Sequence, residues 1–235
     1  GGGVRRVLPG GQLVVDGALV SGASSTNVVQ VGAASGAGTA SLAAGSATLQ
    51  GTTLFYSNAN FSTSGSLGFI GGSVFQPVIN NGGVGSLNAA GAISLGGVLR
   101  PSFVGAAPTV GSSWTLATGG SVSGQFTSVD TSLLAAPLGL GQQFLVSKTP
   151  TGGGHTAVQL SLRQSAVIDV NRDTGVVTLT NPGSVTVSLD GYSISSVLNA
   201  LDGGAWNSLA DQGALGGTWR ESPGSAARLS ELKQT

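Results

Sequence analysis

From Gly17 to Leu99 this chain carries no Asp, Glu, Lys or Arg. A soluble protein ordinarily has about 25% charged residues, and here the charged fraction is 8%. The stretch is nonetheless not disordered in character. Disorder needs low hydrophobicity and high net charge, whereas apolar content is 40% and net charge is zero. Glycine, at 41 residues, exceeds twice the usual ~7%, but no Gly-X-Y period accompanies it and Pro numbers only 8. The fold must therefore bury ordinary aliphatic side chains while its polar groups find partners without ion pairs.

Local patterning points to strands. Short alternating runs recur at 11–17, 27–32, 40–45, 47–51, 53–57, 65–71, 73–79, 92–103, 113–118, 124–129, 142–148 and 156–162. Each has strand length and is bounded by Gly, Ser, Asn or Pro. Helical periodicity is nearly absent; SLLAAPLGL (132–140) is the one segment able to turn helical, and Pro137 limits it. Many short strands fit a sandwich, a barrel or a solenoid. The solenoid is favoured, because a charge-poor chain suits rungs that face other rungs, and small residues suit tight corners. Weak self-similarity agrees: GTASLAAGSATLQGTTL and GSLNAAGAISLGGVL share one pattern. A low-complexity linker is the alternative, and linkers rarely alternate Val, Leu, Ile and Phe. The expectation is an all-β chain with a parallel β-helix over 1–163 whose corners vary in length. Asn58, Asn60, Asn80, Asn81 and Asn88 are candidates for stacked or turn positions. Terminal coils leave open edges, so a cover is expected near residue 163.

Charge then reappears. Seven of the nine acids lie after position 165, which marks a second domain over 165–235. Nine bases balance nine acids, so nothing favours phosphate neutralisation and nucleic acid is not an expected partner. The absence of Cys excludes disulfides and thiolate chemistry. No run approaches the ~18 apolar residues of a membrane-spanning helix. The opening GGGVRRVLPGG, with no Met, reads as a piece of a longer product.

Two resemblances follow. GAISLGGVLRPSFVGAAPTVGSSWTLATGGSVSGQFTSVD (91–130) resembles the closing part of bacterial autotransporter-type passengers with β-strand repeats, through Leu95–Leu99, Pro108–Ala117 and Ser121–Val129. The N-terminal GGQLVVDGALVSG and the repeats after it are similar to the same class, so the likeness covers about 11–162. It implies a right-handed parallel β-helix outside a bacterium. AVIDVNRDTGVVTLTNPGSVTVSLDGYSISS (166–196), WNSLADQG (206–213) and RLSEL (228–232) resemble a lamin-tail-like β-sandwich of secreted bacterial proteins. Val167–Val170, Val176–Thr180 and Val185–Ile194 match its first strands. That module continues for further strands, so a partial antiparallel sandwich is expected here.

Chemistry is sparse. His155 is the sole histidine, in the loop TGGGHTAV, and reads as an exposed loop residue. One His without Cys removes ordinary zinc sites. A carboxylate pair could serve glycoside hydrolysis, but the solenoid region has only Asp16 and Asp130, near its opposite ends. No catalytic residue is assigned, and no enzyme is expected. Asp169, Asn171 and Asp173 give D-x-N-x-D, the first half of a calcium loop, yet Gly175 falls one place late and Thr180 stands where Glu is needed. A hairpin with its turn at Asn171 to Gly175 explains the text better; calcium is the one cofactor the pattern raises. Trp206 and Trp219 are the candidate sugar-stacking side chains, with core packing as the alternative. The expected function is a non-enzymatic extracellular or cell-surface segment, adhesin-like, acting as rigid spacer and multivalent contact surface. Its partners would be surface or matrix components, glycans among them. The alternative is a carbohydrate-binding accessory of a polysaccharide-processing protein.

Overall fold

The computed structural model describes residues 3–22, 26–81, 83–171, 173–174, 176–213 and 216–234. The chain forms two compact units, residues 1–185 and 186–235. In chain order the first strands are β1 (Val4–Val7), β2 (Gln12–Val20), β3 (Val28–Val31), β4 (Ala40–Leu49), β5 (Thr52–Tyr56), β6 (Ala59–Thr63) and β7 (Leu67–Phe69). Next come β8 (Val74–Asn80), β9 (Ser86–Leu95), β10 (Val98–Leu99), β11 (Ser102–Val104), β12 (Ser113–Gly124) and β13 (Ser128–Val129). Then follow β14 (Gln142–Gly152), β15 (His155–Gln164), β16 (Val167–Val170), β17 (Val177–Thr180) and β18 (Gly191–Ser195). The short helix α1 (Leu209–Gln212), β19 (Thr218–Glu221) and β20 (Arg228–Gln234) close the chain. The all-β expectation holds.

Two sheets dominate unit 1. In the first, β1, β3, β5, β8, β10 and β13 lie side by side, and every pair is parallel. One row runs Val4, Val28, Thr52, Val74, Val98, Ser128, so successive steps are 24, 24, 22, 24 and 30 residues. The second sheet joins β2, β4, β6 with β7, β9 and β12, again in parallel. Strands of the two sheets largely alternate along the chain, with β6 and β7 both in the second sheet and β10 and β11 both beside β8 in the first. The steps vary because corners absorb extra residues, which is why no fixed period is visible in the sequence.

Both sheets bury one face in a common core. Alternation in β4 is direct: Ala40, Leu42 and Ala44 are buried, then Ala47 and Leu49, with a change of phase at Gly45–Ser46. That change sits on a column of glycines. The Gly65 N–H donates to the Gly45 carbonyl at 2.7 Å and the Gly91 N–H to the Gly65 carbonyl at 3.0 Å. A Cβ on Gly65 would stand 2.8 Å from the Gly45 oxygen, and one on Gly91 2.9 Å from the Gly65 carbonyl carbon. Only glycine permits this close approach of successive backbones. Between the sheets Phe55, Phe75, Phe69 and Phe126 form an aromatic chain, with centroids 6.3 Å apart for Phe55–Phe75 and 4.7 Å for Phe69–Phe75. Phe55, Phe61, Phe69 and Phe75 are fully buried, each worth about 1.5–3 kcal/mol on transfer from water.

Corners are stitched to neighbouring turns of chain by small polar side chains. Ser21 Oγ donates to the Gln50 carbonyl at 2.6 Å and accepts from the Gln50 N–H at 2.7 Å. The Thr127 hydroxyl donates to the Gly97 carbonyl at 2.7 Å. Asn58 Oδ1 accepts from the Ala33 N–H at 3.2 Å, which is a turn role rather than an Asn-on-Asn ladder; Asn60 and Asn88 lie on an exposed strand face, and Asn81 takes a left-handed turn at φ 47°. The last parallel strand of the second sheet, β12, is covered by the antiparallel hairpin β15–β14. Parallel pairing, expected as far as residue 163, thus ends at β12 and β13, and residues 142–164 form an antiparallel hairpin instead. Its end packs Phe144 on Phe103 at 5.9 Å, with Trp114 at 5.0 Å from Phe103. Residues 132–140 form turns and bends, not a helix.

The hairpin β16–β17 pairs only with itself among the described residues and lies in unit 1. In unit 2 the order is β18-β20-β19, all antiparallel. One face of this sheet buries Leu229, Glu231 and Trp219.

Candidate contact surface

The outward face of the second sheet in unit 1 carries polar rows. Ser62 on β6 stands beside Asn88 on β9, which stands beside Thr118 on β12. Asn60 pairs with Ser86, and the Asn88 amide reaches the Ser86 hydroxyl at 2.6 Å. Farther along, Ser94 and Ser123 approach at 3.5 Å. Parallel pairing sets such rows about 4.8 Å apart from strand to strand. A groove of about 540 Å³ opens over Ser62, Asn88, Thr118, Thr151 and His155. Among the described residues no Asp, Glu, Lys or Arg lines it.

The outward face of the first sheet is arranged as a ladder. Arg6 pairs with Gln30, Gln30 with Leu54, and Leu54 with Gln76. At the far end Arg100 Nε donates to Asp130 Oδ2 at 2.7 Å. The Ser132 N–H, 2.9 Å from Asp130 Oδ1, together with the Ser132 hydroxyl and the Arg100 guanidinium, holds the Asp130 carboxyl down to about 2.

The structure places the sequence-derived candidates as follows. His155 is exposed at the mouth of the polar groove, beyond the Gly152–Gly154 turn. Among the described residues no three His, Asp or Glu side chains gather to hold a metal. Asp16 lies in β2 and Asp130 follows β13, on edge strands at opposite ends of the stack. Asp169 sits in β16 opposite Thr178. Asn171 Oδ1 accepts the N–H groups of Asp173 and Thr174, both at 3.0 Å, and the Asn171 N–H closes the hairpin on the Val176 carbonyl at 2.9 Å. That oxygen thus serves the turn; Arg172 and Gly175 of the expected turn lie outside the described residues.

Trp219 is buried on β19, and its indole N–H has no hydrogen-bond partner among the described residues. Trp206 is half-buried, its N–H donating to the Tyr192 hydroxyl at 3.2 Å, edge-on to that ring at 6.4 Å. The opposite side of this sheet has a groove of about 770 Å³ lined by Ser193, Arg220, Arg228, Ser230 and Leu232 among others, and neither tryptophan lines it.

Sequence reasoning missed the polar centre of unit 2. Glu231 is fully buried, and its carboxylate accepts from the Leu209 N–H at 2.8 Å, the Ala210 N–H at 2.9 Å and the Tyr192 hydroxyl at 2.5 Å. Burial, reinforced by Glu231, pushes the Tyr192 phenol well above its ordinary range. Ser208 caps α1 through the Asp211 N–H at 3.0 Å, and Asp211 answers to the Ser208 N–H. The S-x-x-D spacing of a capping box was the available signal for the helix start; no local pattern marks Glu231 as its clamp.

No protein-family model, curated protein or solved structure matches this chain.

Proposed function

We propose that unit 1 is a right-handed parallel β-helix of the autotransporter-passenger kind, and that the chain is a non-enzymatic, extracellular, adhesin-like segment of a large secreted or surface bacterial protein. In this reading the second unit belongs to a lamin-tail-like β-sandwich. The alternating membership of successive strands in two parallel sheets supports the coil, and parallel crossovers are right-handed in nearly all proteins. The observation that carries the function is the row structure. Ser62, Asn88 and Thr118 repeat one chemistry at one spacing across three strands. A surface built this way offers many equivalent weak contacts, which add up when copies are displayed together. The scattered acids of unit 1 support a non-enzymatic role.

The test is adhesion measured against valency. Chains displayed at high density on beads should adhere to surfaces coated with matrix protein or glycan about 10²–10⁴-fold more tightly than the free chain. Beads that fail to adhere across such a panel would refute the adhesive role and leave the spacer role to be judged by protease resistance.

A second reading, carbohydrate binding, is favoured by the neutral groove over Ser62, Asn88 and Thr118, since hydroxyls and amides without charge match a neutral hydroxyl-rich ligand. It moves the sugar-binding candidate away from Trp206 and Trp219. Retention of the free chain on a neutral-glycan array, lost in Ser62→Ala/Asn88→Ala and kept in Trp206→Ala, is the expected pattern.

A further inference from the structure

Alternation along β14 calls for an apolar side chain at position 148, and the chain has lysine there. Phe144 and Val146 pack against the core of unit 1. Their partners on β15, Leu162 and Leu160, are buried. Lys148 is two residues on, so it shares their face. It stands opposite Val158, which is buried as well. The side chain is tolerated because β14 is the edge strand of its sheet, and Lys148 is exposed. A lysine so placed lays its methylene stem along apolar surface and keeps its ammonium in water.

The same side chain lines a groove of about 440 Å³. Residues of β13 and β14, the edge strands of the two sheets, form its sides. Leu95, Phe126, Val129 and Val146 give it an apolar wall, and Gln125 and Ser128 add polar groups. Phe126 is the last ring of the aromatic chain, with centroids 6.0 Å from Phe69 and 6.3 Å from Phe75. The groove therefore continues the core's apolar column out to solvent. Its size lies within the about 300–1,000 Å³ of small-molecule sites, which are likewise mostly apolar with a few polar groups.

Charge at this end is one-sided. Asp130, the residue after Val129, is committed to Arg100 at 2.7 Å and to the Ser132 N–H at 2.9 Å. Lys148 makes no ion pair among the described residues. A lysine on an edge strand also deters pairing with another chain. That role accounts for the charge and leaves the apolar groove beside it without a use.

We propose that this groove binds a single-chain amphiphile with an anionic head, an aliphatic carboxylate. The carboxylate meets the Lys148 ammonium, with Gln125 and Ser128 beside it as hydrogen-bond donors. The chain lies against Leu95, Phe126, Val129 and Val146. The site shares no residue with the neutral groove over Ser62, Asn88 and Thr118, and it stands or falls apart from the adhesive role. Calorimetric titration of the 235-residue chain with decanoate, below its micelle concentration, makes the test. Decanoate should bind, and shorter carboxylates should bind about fourfold more weakly for each methylene lost. Decyltrimethylammonium, with the opposite charge, should not bind. Lys148→Glu should abolish decanoate binding. Lys148→Gln should weaken it about tenfold, the difference between a charge-assisted and a neutral hydrogen bond. Circular dichroism checks that each variant folds; if the Glu variant does not, the Gln variant and the two amphiphiles on the unaltered chain still decide. Equal binding of the two amphiphiles, or unchanged decanoate affinity in folded Lys148→Gln, overturns the proposal. So does a chain that takes up no decanoate; if that chain sediments as a dimer, the groove belongs to a second copy.

Discussion

The two units keep their charges in opposite places. In unit 1 strands β3 to β13 carry no Asp, Glu, Lys or Arg, and Arg5, Arg6, Asp16 and Lys148 lie on edge strands. In unit 2 a carboxylate, Glu231, is the most deeply buried polar group of the sheet. The difference follows from how each unit saturates its backbone. A stack of parallel strands pairs each turn of chain with the next, and Ser, Thr and Asn finish the corners, so ion pairs are not needed. The three-stranded sheet buries only Trp219 and Leu229 among its apolar residues. A core that small gives little hydrophobic stabilisation, and the loop carrying α1 is held instead by one carboxylate accepting three hydrogen bonds. The first unit depends on many equal contacts, the second on one centre.

A core deletion in one unit should leave the other undisturbed. Phe75→Ala removes a fully buried ring from the aromatic chain and should cost about 3–5 kcal/mol. Denaturant unfolding followed by fluorescence should show the Trp114 transition moving to lower denaturant, with the signal of Trp206 and Trp219 unmoved. Glu231→Ala should do the reverse. It strips the acceptor from Leu209, Ala210 and Tyr192, at about 2–3 kcal/mol for charge-assisted bonds, and only the unit 2 transition should shift. Gly65→Ala sharpens the account of the stack: its Cβ would meet the Gly45 oxygen at 2.8 Å, and overpacking of this kind costs about 1–3 kcal/mol. The smallest effect concerns Asp130. Its folded-state value of about 2 lies below the ordinary 3.8, so its contribution is full above about pH 4 and fades as pH falls toward 2. Unit 1 of Asp130→Asn should lose less stability between pH 4 and 2 than the unaltered chain, in parallel thermal melts.

Much of unit 1 was legible because a half-buried strand alternates. The runs at 27–32, 53–57, 142–148 and 156–162 each overlap an observed strand. The misses share a cause. Ala59–Thr63 does not stand out as a strand because its flanking Asn and Ser read as turn residues, although Phe61 is fully buried. Gly45 reads as a break between two runs, yet β4 runs through it, because the glycine is required by the backbone of Gly17 rather than by a turn. Gly97, by contrast, does break the run at 92–103, with φ 67°. A glycine in sequence does not disclose which of these it serves. The hairpin of β16 and β17 was readable from Asn171 and its neighbours, whereas the clamp on α1 was not, because Glu231 and Leu209 are 22 positions apart and meet only in the fold.

Parallel register between β6 and β9 is the claim on which the stack rests, and the absence of native cysteine makes it directly measurable. Two double variants, Asn60→Cys/Ser86→Cys and Ser62→Cys/Asn88→Cys, place thiols on Cα partners at about the 4.8 Å spacing of paired strands, inside the about 4.4–6.8 Å window of a disulfide. Parallel pairing predicts that both cross-link on mild oxidation, while Ser62→Cys/Ser94→Cys, six residues farther along β9, does not. Cross-linking of only one of the two pairs, as antiparallel strands would give, or of neither, would contradict the stack.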